Sequence, residues 1–333
     1  MYLTLGIFAH ADSGKTTFAE QLLYETQTIK EKGRVDHQNA FLDYHSIEKQ
    51  RGITVFSEQA TFNYKKRTYY LVDTPGHLDF STEMERAMSV MDYAVILVSA
   101  VEGLQGHTET IWKLLRHYQI PTFIFINKMD REGADFGKVL TQLKQTFGAG
   151  FLPFDPRLTF QLTDVLIEGI AETDEALLVS YLEEDFTKDW QGELQTQIKK
   201  ELIFPVFQGS ALKGEGIVSF LEHLHALTAT RYYEAGPCDV QLYKIRYNEK
   251  GERLSYLKVR EGVLKVKDEI PEKINELRFY SGEKYESTSQ ALAGQLVVAT
   301  GLTCELEPLM MVPTLRVSVL HEKPYKVLPV FDG

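Results

Sequence analysis

The chain has 333 residues, 44% of them hydrophobic and 25% charged, with a net charge of −11. That composition supports about two globular domains with sizeable cores and excludes a disordered, collagenous or disulfide-scaffolded chain. The acidic balance argues against a generic basic nucleic-acid binder, while leaving room for local patches that meet a ribonucleoprotein.

Two cysteines, Cys238 and Cys304, are too few for a disulfide framework or a zinc site and fit a reducing cytoplasm. No apolar run approaches the roughly 18 residues of a membrane helix. Met1 to His10 also lacks the basic leader of a signal peptide, so no membrane partner is expected.

In chain order, the short apolar run Tyr2 to Ala9 has the character of a strand buried in a parallel sheet. A helix is expected from Thr16 to about Ile29, with Phe18, Leu22 and Leu23 on one face. Further strands are expected at Tyr69–Val72, Ala94–Val98, Thr122–Ile126 and Phe204–Phe207, with helices such as Ser81–Met91 and Thr108–Tyr118 between them. This alternation predicts an α/β domain over residues 1–230, a mostly parallel sheet flanked by helices. Within it, a helical acidic insertion outside the sheet is expected at about 150–201. From Asp164 to Glu201 eleven acids face only Lys188, Lys199 and Lys200. After Gly236-Pro237 the pattern changes to short alternating strands such as Val240–Ile245, Leu257–Arg260 and Val263–Val266, with turn residues between them. A small antiparallel β-barrel is expected there, at about 238–318. Residues 319–333 read as the start of a linker to further domains. His321 to Gly333 contain two prolines and complete no element, which points to a piece of a longer protein.

Ala9-His10-Ala11-Asp12-Ser13-Gly14-Lys15-Thr16 fits a phosphate-binding loop, with Ala in the first position. It follows a predicted strand and opens a predicted helix, the context such a loop requires. Successive backbone N–H groups and the helix N-terminus form an anion cradle there. Gly14 allows close backbone approach, Lys15 reaches the β/γ-phosphates, and the Thr16 hydroxyl is a magnesium ligand.

Asp73-Thr74-Pro75-Gly76-His77 follows the strand ending at Val72. Asp73 is placed to hold magnesium, Gly76 to offer a backbone N–H to the γ-phosphate, and His77 to orient an attacking water. Asn127-Lys128-Met129-Asp130 follows the strand ending at Ile126. A carboxylate at Asp130 accepts from N1–H and the exocyclic amine of guanine, a donor pair that adenine lacks. Lys128 can pack its stem along the base, and Asn127 can tie this loop to the phosphate loop. Ser210-Ala211-Leu212 can set backbone N–H groups against the guanine O6. In Arg51-Gly52-Ile53-Thr54, Thr54 is a candidate second hydroxyl ligand of magnesium, engaged only with the triphosphate.

These five ordered motifs resemble those of translational GTPases, in particular the elongation factor G class and the ribosomal protection proteins that confer tetracycline resistance. The wording is specific in Arg51-Gly52-Ile53-Thr54, in Asp73 to Phe80 and in Asn127 to Arg131. The likeness spans about residues 1–320, with Lys244-Ile245 and Gly294 to Val298 matching the family's barrel less specifically. It implies that His10, Ala11, Asp12, Ser13, Gly14, Lys15, Thr16 and Thr17 bind phosphates. It further implies a switch threonine at Thr54 and a second switch at Asp73 to His77, with His77 catalytic. Asn127, Lys128 and Asp130 would select guanine. The implied ligands are GTP or GDP with Mg²⁺. The implied partner is the ribosome, with small-subunit RNA meeting the barrel and the large-subunit factor site meeting the GTPase domain. A cytoplasmic protein, monomeric away from the ribosome, is expected. Two departures stand out. Ala11-Asp12-Ser13 replaces the family's Val-Asp-Ala or Val-Asp-His. The 80 residues from Asp130 to Ser210 make a shorter insert than elongation factor G has, and closer to that of ribosomal protection proteins. A regulatory GTPase acting on a protein partner, a release-type factor, and a P-loop ATPase or kinase are the competing readings.

Overall fold

The computed structural model describes residues 1–31, 33, 58–74, 81–157, 160–183, 187–248, 250–270, 272–281 and 284–303. The first part of the chain builds β1 (Tyr2–Ala9), α1 (Lys15–Glu25), β2 (Glu58–Tyr64), β3 (Arg67–Asp73), α2 (Ser81–Met88), β4 (Tyr93–Ser99), α3 (Gly106–His117), β5 (Thr122–Asn127) and α4 (Phe136–Phe147). Next come β6 (Phe151–Pro153), α5 (Asp164–Ala171), α6 (Glu175–Leu182), α7 (Trp190–Lys199), β7 (Phe204–Gln208) and α8 (Ile217–Leu227).

Seven strands form one sheet in the order β2-β3-β1-β4-β5-β7-β6. All pairings are parallel except that of β2 with β3, an antiparallel edge hairpin. Strand β4 is buried along its whole length, as a strand covered on both faces must be. One face packs α1 and α8 through Phe18, Phe123, Phe125, Phe207 and Phe220. The other packs α2, α3 and α4 through Met84, Trp112, Leu115, Val139 and Leu143. Because β1, β3, β4, β5 and β7 run parallel, the loops after their carboxyl ends gather along one edge of the sheet, where α/β folds bind ligands.

Residues 151–153, expected within a wholly helical insertion, instead form the edge strand β6, paired with Phe204–Val206 of β7. Three residues are too few to show a period, so only the partner strand reveals them. The three insertion helices account for much of the acid. Asp174 and Asp189 are N-caps, accepting from Ala176 N (2.9 Å) and Gly192 N (3.0 Å), while Asp164, Glu175 and Glu193 occupy first turns. Carboxylates at these positions satisfy backbone N–H groups and complement the helix dipole. Leu166, Ile170, Leu177, Leu194 and Ile198 attach the insertion to the α1 side of the core.

The remaining chain forms β8 (Asp239–Tyr247), β9 (Arg253–Glu261), β10 (Val263–Lys265), β11 (Glu276–Ser281), β12 (Lys284–Thr288), β13 (Gln290–Leu292) and β14 (Leu296–Thr300). These make an antiparallel five-stranded sheet, β12-β11-β14-β9-β8, and a two-stranded pair of β10 with β13, around a core that includes Val240, Leu257, Leu264, Leu277 and Val297. The expected barrel region from 304 to 318 and the linker from 319 to 333 lie outside the described residues.

The two parts meet through a joint core of Tyr70, Val72, Ala87, Val90, Tyr243, Leu254, Tyr256, Leu296 and Val298. Beside it, Lys258 Nζ donates to Val90 O (2.7 Å) and to Asp92 Oδ1 (2.9 Å). Asp92 also accepts from Thr4 N (2.6 Å) and from the Tyr232 hydroxyl. Burial pulls the Lys258 ammonium below the usual lysine range and raises the Tyr232 phenol, while Asp92 opposes the shift at Lys258. One carboxylate therefore ties together β1, the turn after α2, the connecting segment and β9. Lys258→Met keeps the stem but strips the charge from a buried pair. We expect it to lower the unfolding free energy by about 3 kcal/mol, as breaking buried pairs does, read by urea denaturation.

Candidate nucleotide-binding site

The loop after β1 turns on two left-handed residues, Asp12 (φ 63°) and Gly14 (φ 88°). Ser13 N and Oγ both donate to His10 O, at 3.3 and 2.9 Å, and close the loop on itself. Gly14 is the N-cap of α1, whose first turn carries no acid. The helix N-terminus is thus left to an anion by its own sequence. Ser13, Lys15 and Thr16 are buried, His10, Gly14 and Thr17 are half-buried, and Ala11 and Asp12 are exposed. A Cβ on Gly14 would lie 2.6 Å from Asn127 Nδ2, so glycine is required by space as well as by φ.

Asn127, at the end of β5, donates from Nδ2 to Ser13 O (2.8 Å) and accepts at Oδ1 from Ala211 N (2.9 Å). Both bonds are buried. The expected tie between Asn127 and the phosphate loop is therefore present in the geometry, and it extends to the 210 loop. Met129 N donates to Gly209 O (3.1 Å), a second link between those two loops. Asp130 is partly exposed beside Ser210, whose hydroxyl bond to it is the main influence holding its carboxyl below the usual range. Ser210 and Ala211 are buried, and Leu212 sits exposed at the rim. Lys128 takes a left-handed conformation (φ 67°), which an L side chain adopts at some cost and only where its neighbours hold it.

Lys15 Nζ and Asp73 Oδ1 are 2.5 Å apart, which brings the ends of two sequence motifs into one buried contact. Thr74 Oγ1 donates to Ile7 O (2.7 Å) and moors the start of the next loop to β1. Pro75, Gly76 and His77, like Arg51 to Thr54, lie outside the described residues. Among the described residues no group of three or more His, Cys, Asp or Glu side chains could hold a metal. Thr16 and Asp73 supply one hydroxyl and one carboxylate, hard oxygen donors of the kind magnesium shares with phosphate. Burial pushes the His10 pKa below the ordinary value, with Glu102 opposing the shift.

One side chain that no motif indicated reaches this edge. Glu102, in the loop after β4, approaches His10 Nε2 (3.2 Å) and Lys128 Nζ (3.5 Å). Its only sequence signal is an acid just past a strand end on the ligand edge.

The cost of disturbing the loop junction follows from these contacts. Asn127→Ala leaves Ser13 O and Ala211 N buried without a partner, each worth about 1–3 kcal/mol. Gly14→Ala adds a left-handed Cβ, about 1–2 kcal/mol, and displaces Asn127. Thermal or urea unfolding should show both variants destabilised by amounts of that order, and calorimetry should show both losing nucleotide affinity.

Residues 1–230 match the family described as the elongation factor Tu GTP binding domain. The chain is 34% identical over 334 residues to an oxytetracycline resistance protein of Streptomyces rimosus, covering 90% of this chain and 50% of that protein. It is 32% identical over 330 residues to the tetracycline resistance protein TetO of Campylobacter jejuni, covering 92% and 51%. The chain thus spans about half the length of the curated relatives it matches. A crystal structure from Thermus thermophilus is similar in fold, with a TM-score of 0.79 at 24% identity, covering 94% of this chain and 56% of that one. With phosphate loop, Asp73 and the Asn127–Asp130 loop brought to one sheet edge, and a family match across the whole α/β part, this chain belongs to the elongation factor Tu-type GTP-binding family.

Proposed function

We propose that this chain is the nucleotide-handling part of a ribosome-dependent GTPase, most similar in role to ribosomal protection proteins. The carrying observation is the Asn127 amide, which holds the phosphate loop and the Asp130–Ser210 pair in one frame. That frame sets a guanine-accepting carboxylate at a fixed reach from an anion cradle. The two relatives named above are tetracycline resistance proteins, and the 80-residue spacing from Asp130 to Ser210 supports the same choice.

In this reading, backbone N–H groups of residues 13–17 and the Lys15 ammonium hold the phosphates. Thr16, Asp73 and, in the triphosphate state, Thr54 would hold Mg²⁺, which would supply neutralising charge to the phosphates. Lys15 exchanges Asp73 for phosphate oxygens as nucleotide enters. Asp73, Thr74, Pro75, Gly76 and His77 form the nucleotide-sensing segment, with His77 orienting the attacking water. Its far end continues into α2, whose Ala87 and following Val90 pack on the antiparallel domain, giving a route from phosphate state to domain position. Ser210, Ala211 and Leu212 line the base. We take 1–230 as the GTPase domain and the sheets from 238 onward as the face that meets small-subunit RNA, with the GTPase domain at the large-subunit factor site. A cytoplasmic monomer away from the ribosome completes the reading. No helix among the described residues is long and apolar enough to cross a membrane.

Base choice tests the site directly. GDP should bind at least a hundredfold more tightly than ADP, because a site built to hydrogen-bond a donor pair rejects an analogue lacking it. Asp130→Asn should move preference toward xanthine nucleotides, whose C2 carbonyl accepts from the amide. Calorimetry giving equal GDP and ADP affinities would overturn the assignment.

Hydrolysis tests the mechanism. Alone, the 333-residue chain should bind GTP yet turn it over at a rate on the order of 10⁻⁴ s⁻¹, the scale of an unstimulated GTPase. In the longer parent protein, ribosomes should accelerate hydrolysis, and His77→Ala should remove most of that gain while sparing nucleotide affinity. Single-turnover assays with and without ribosomes read both effects. Full stimulation of the His77→Ala parent would assign the water to another residue.

A further inference from the structure

The turn that carries Glu102 is built by contacts that do not use its carboxylate. Gly103 N donates to Ser99 O (2.8 Å) and Glu102 N to Ser99 Oγ (3.3 Å). Ala100 N donates to Asn127 O (2.8 Å) and Asp135 N to Ala100 O (3.1 Å), so the start of the turn is fastened at both ends of the guanine-side loop. Gly103 is left-handed (φ 71°), and a Cβ there would lie 2.4 Å from Gln142 Oε1, the atom that accepts from Leu104 N. The turn is therefore held by backbone and by α4, with its side chain projecting from a fixed base.

That side chain is 42% exposed, so neither burial nor packing accounts for a carboxylate at this place. Its two oxygens are divided between two loops. Oε2 lies 3.2 Å from His10 Nε2 of the phosphate loop, and Oε1 lies 3.5 Å from Lys128 Nζ of the guanine-side loop. Lys128 reaches it from a left-handed backbone conformation. Lys128 and Asp12 are the other charged groups influencing His10, Lys128 disfavouring its protonated form and Asp12 favouring it.

We propose that Glu102 is a positioning residue that pins Lys128 and His10 across the mouth of the site and thereby slows release of bound guanine nucleotide. This rests on the guanine-nucleotide reading of the site given above. The Asn127 amide fastens the same two loops from beneath, inside the protein. Glu102 fastens them from the solvent side, where a nucleotide leaves. Because the Lys128–Glu102 ion contact is partly exposed, the effect is modest in size and sensitive to salt.

The test is stopped-flow release of fluorescent N-methylanthraniloyl-GDP from the 333-residue chain. Glu102→Gln keeps the shape and removes the charge. It should speed release about threefold at low salt, with an unchanged association rate and unchanged thermal midpoint, in keeping with a partly exposed ion contact. The wild-type and Glu102→Gln rates should draw together as salt is raised to about 1 M, where the Debye length of about 3 Å is comparable to these contact distances. In a Lys128→Met background, Glu102→Gln should have a clearly smaller effect, a non-additivity that a merely structural role for the turn would not produce. Wild-type binding with equal release rates in Glu102→Gln would overturn this proposal alone. Failure of the folded wild-type chain to bind the fluorescent GDP would overturn the site reading, and this proposal with it.

Discussion

The site depends on the side-chain amide of Asn127. An amide offers a donor and an acceptor at opposite corners of one rigid plane, and here they are spent on Ser13 O and Ala211 N. Three loops separated by more than eighty positions in sequence are thereby held to one spacing. The same amide explains a restriction at Gly14, because any side chain there would collide with Nδ2. A phosphate loop whose backbone is already held in its turn is the outcome. The parallel sheet supplies the condition for this, by ending β1, β3, β4, β5 and β7 on a common edge.

A second junction, around Asp92, decides how the nucleotide domain is joined to the antiparallel domain. Lys258 and Tyr232 reach into the first domain to meet a carboxylate that also caps Thr4 N of β1. Such a pair is costly to bury and is tolerated only because each partner is also hydrogen-bonded, Lys258 to Val90 O and Asp92 to a backbone amide. The apolar contacts beside it, from Tyr70 and Val72 to Tyr256 and Val298, are ordinary packing between the two sheets. The helix that follows the Asp73 loop, α2, ends in this junction. A change in the loop is thus mechanically adjacent to the second domain.

Where local pattern failed, a physical cause can be named. The hairpin of β2 and β3 turns on Lys65 and Lys66, both left-handed (φ 44° and 64°). Two-residue hairpin turns of that hand favour Asn and Gly, so a Lys-Lys pair gives no warning. Helix α1, expected to about Ile29, stops at Glu25. Thr26 Oγ1 bonds back to Leu22 O (2.8 Å) and Gln27 turns left-handed (φ 56°). Helix α2 ends at Met88 rather than Met91, as the chain tightens into i→i−3 bonds at Ser89, Val90 and Met91. The acidity of the insertion gives no roles to single carboxylates, whereas the structure makes Asp174 and Asp189 helix caps.

The sequence by itself determined the class of fold, the order of buried strands, and the residue types placed after each of them. Those properties rest on local periodicity and on short motifs whose chemistry needs particular side chains in succession. Tertiary structure alone decided which of these motifs share an edge, that β6 joins the sheet, that the Asn127 bridge extends to the 210 loop, and which partners Glu102 and Lys258 meet. The reason is distance along the chain. Glu102 lies 92 positions from His10, and Lys258 lies 166 from Asp92. No local pattern carries such pairings, because they exist only once the sheet has aligned its strand ends and the second domain has closed on the first.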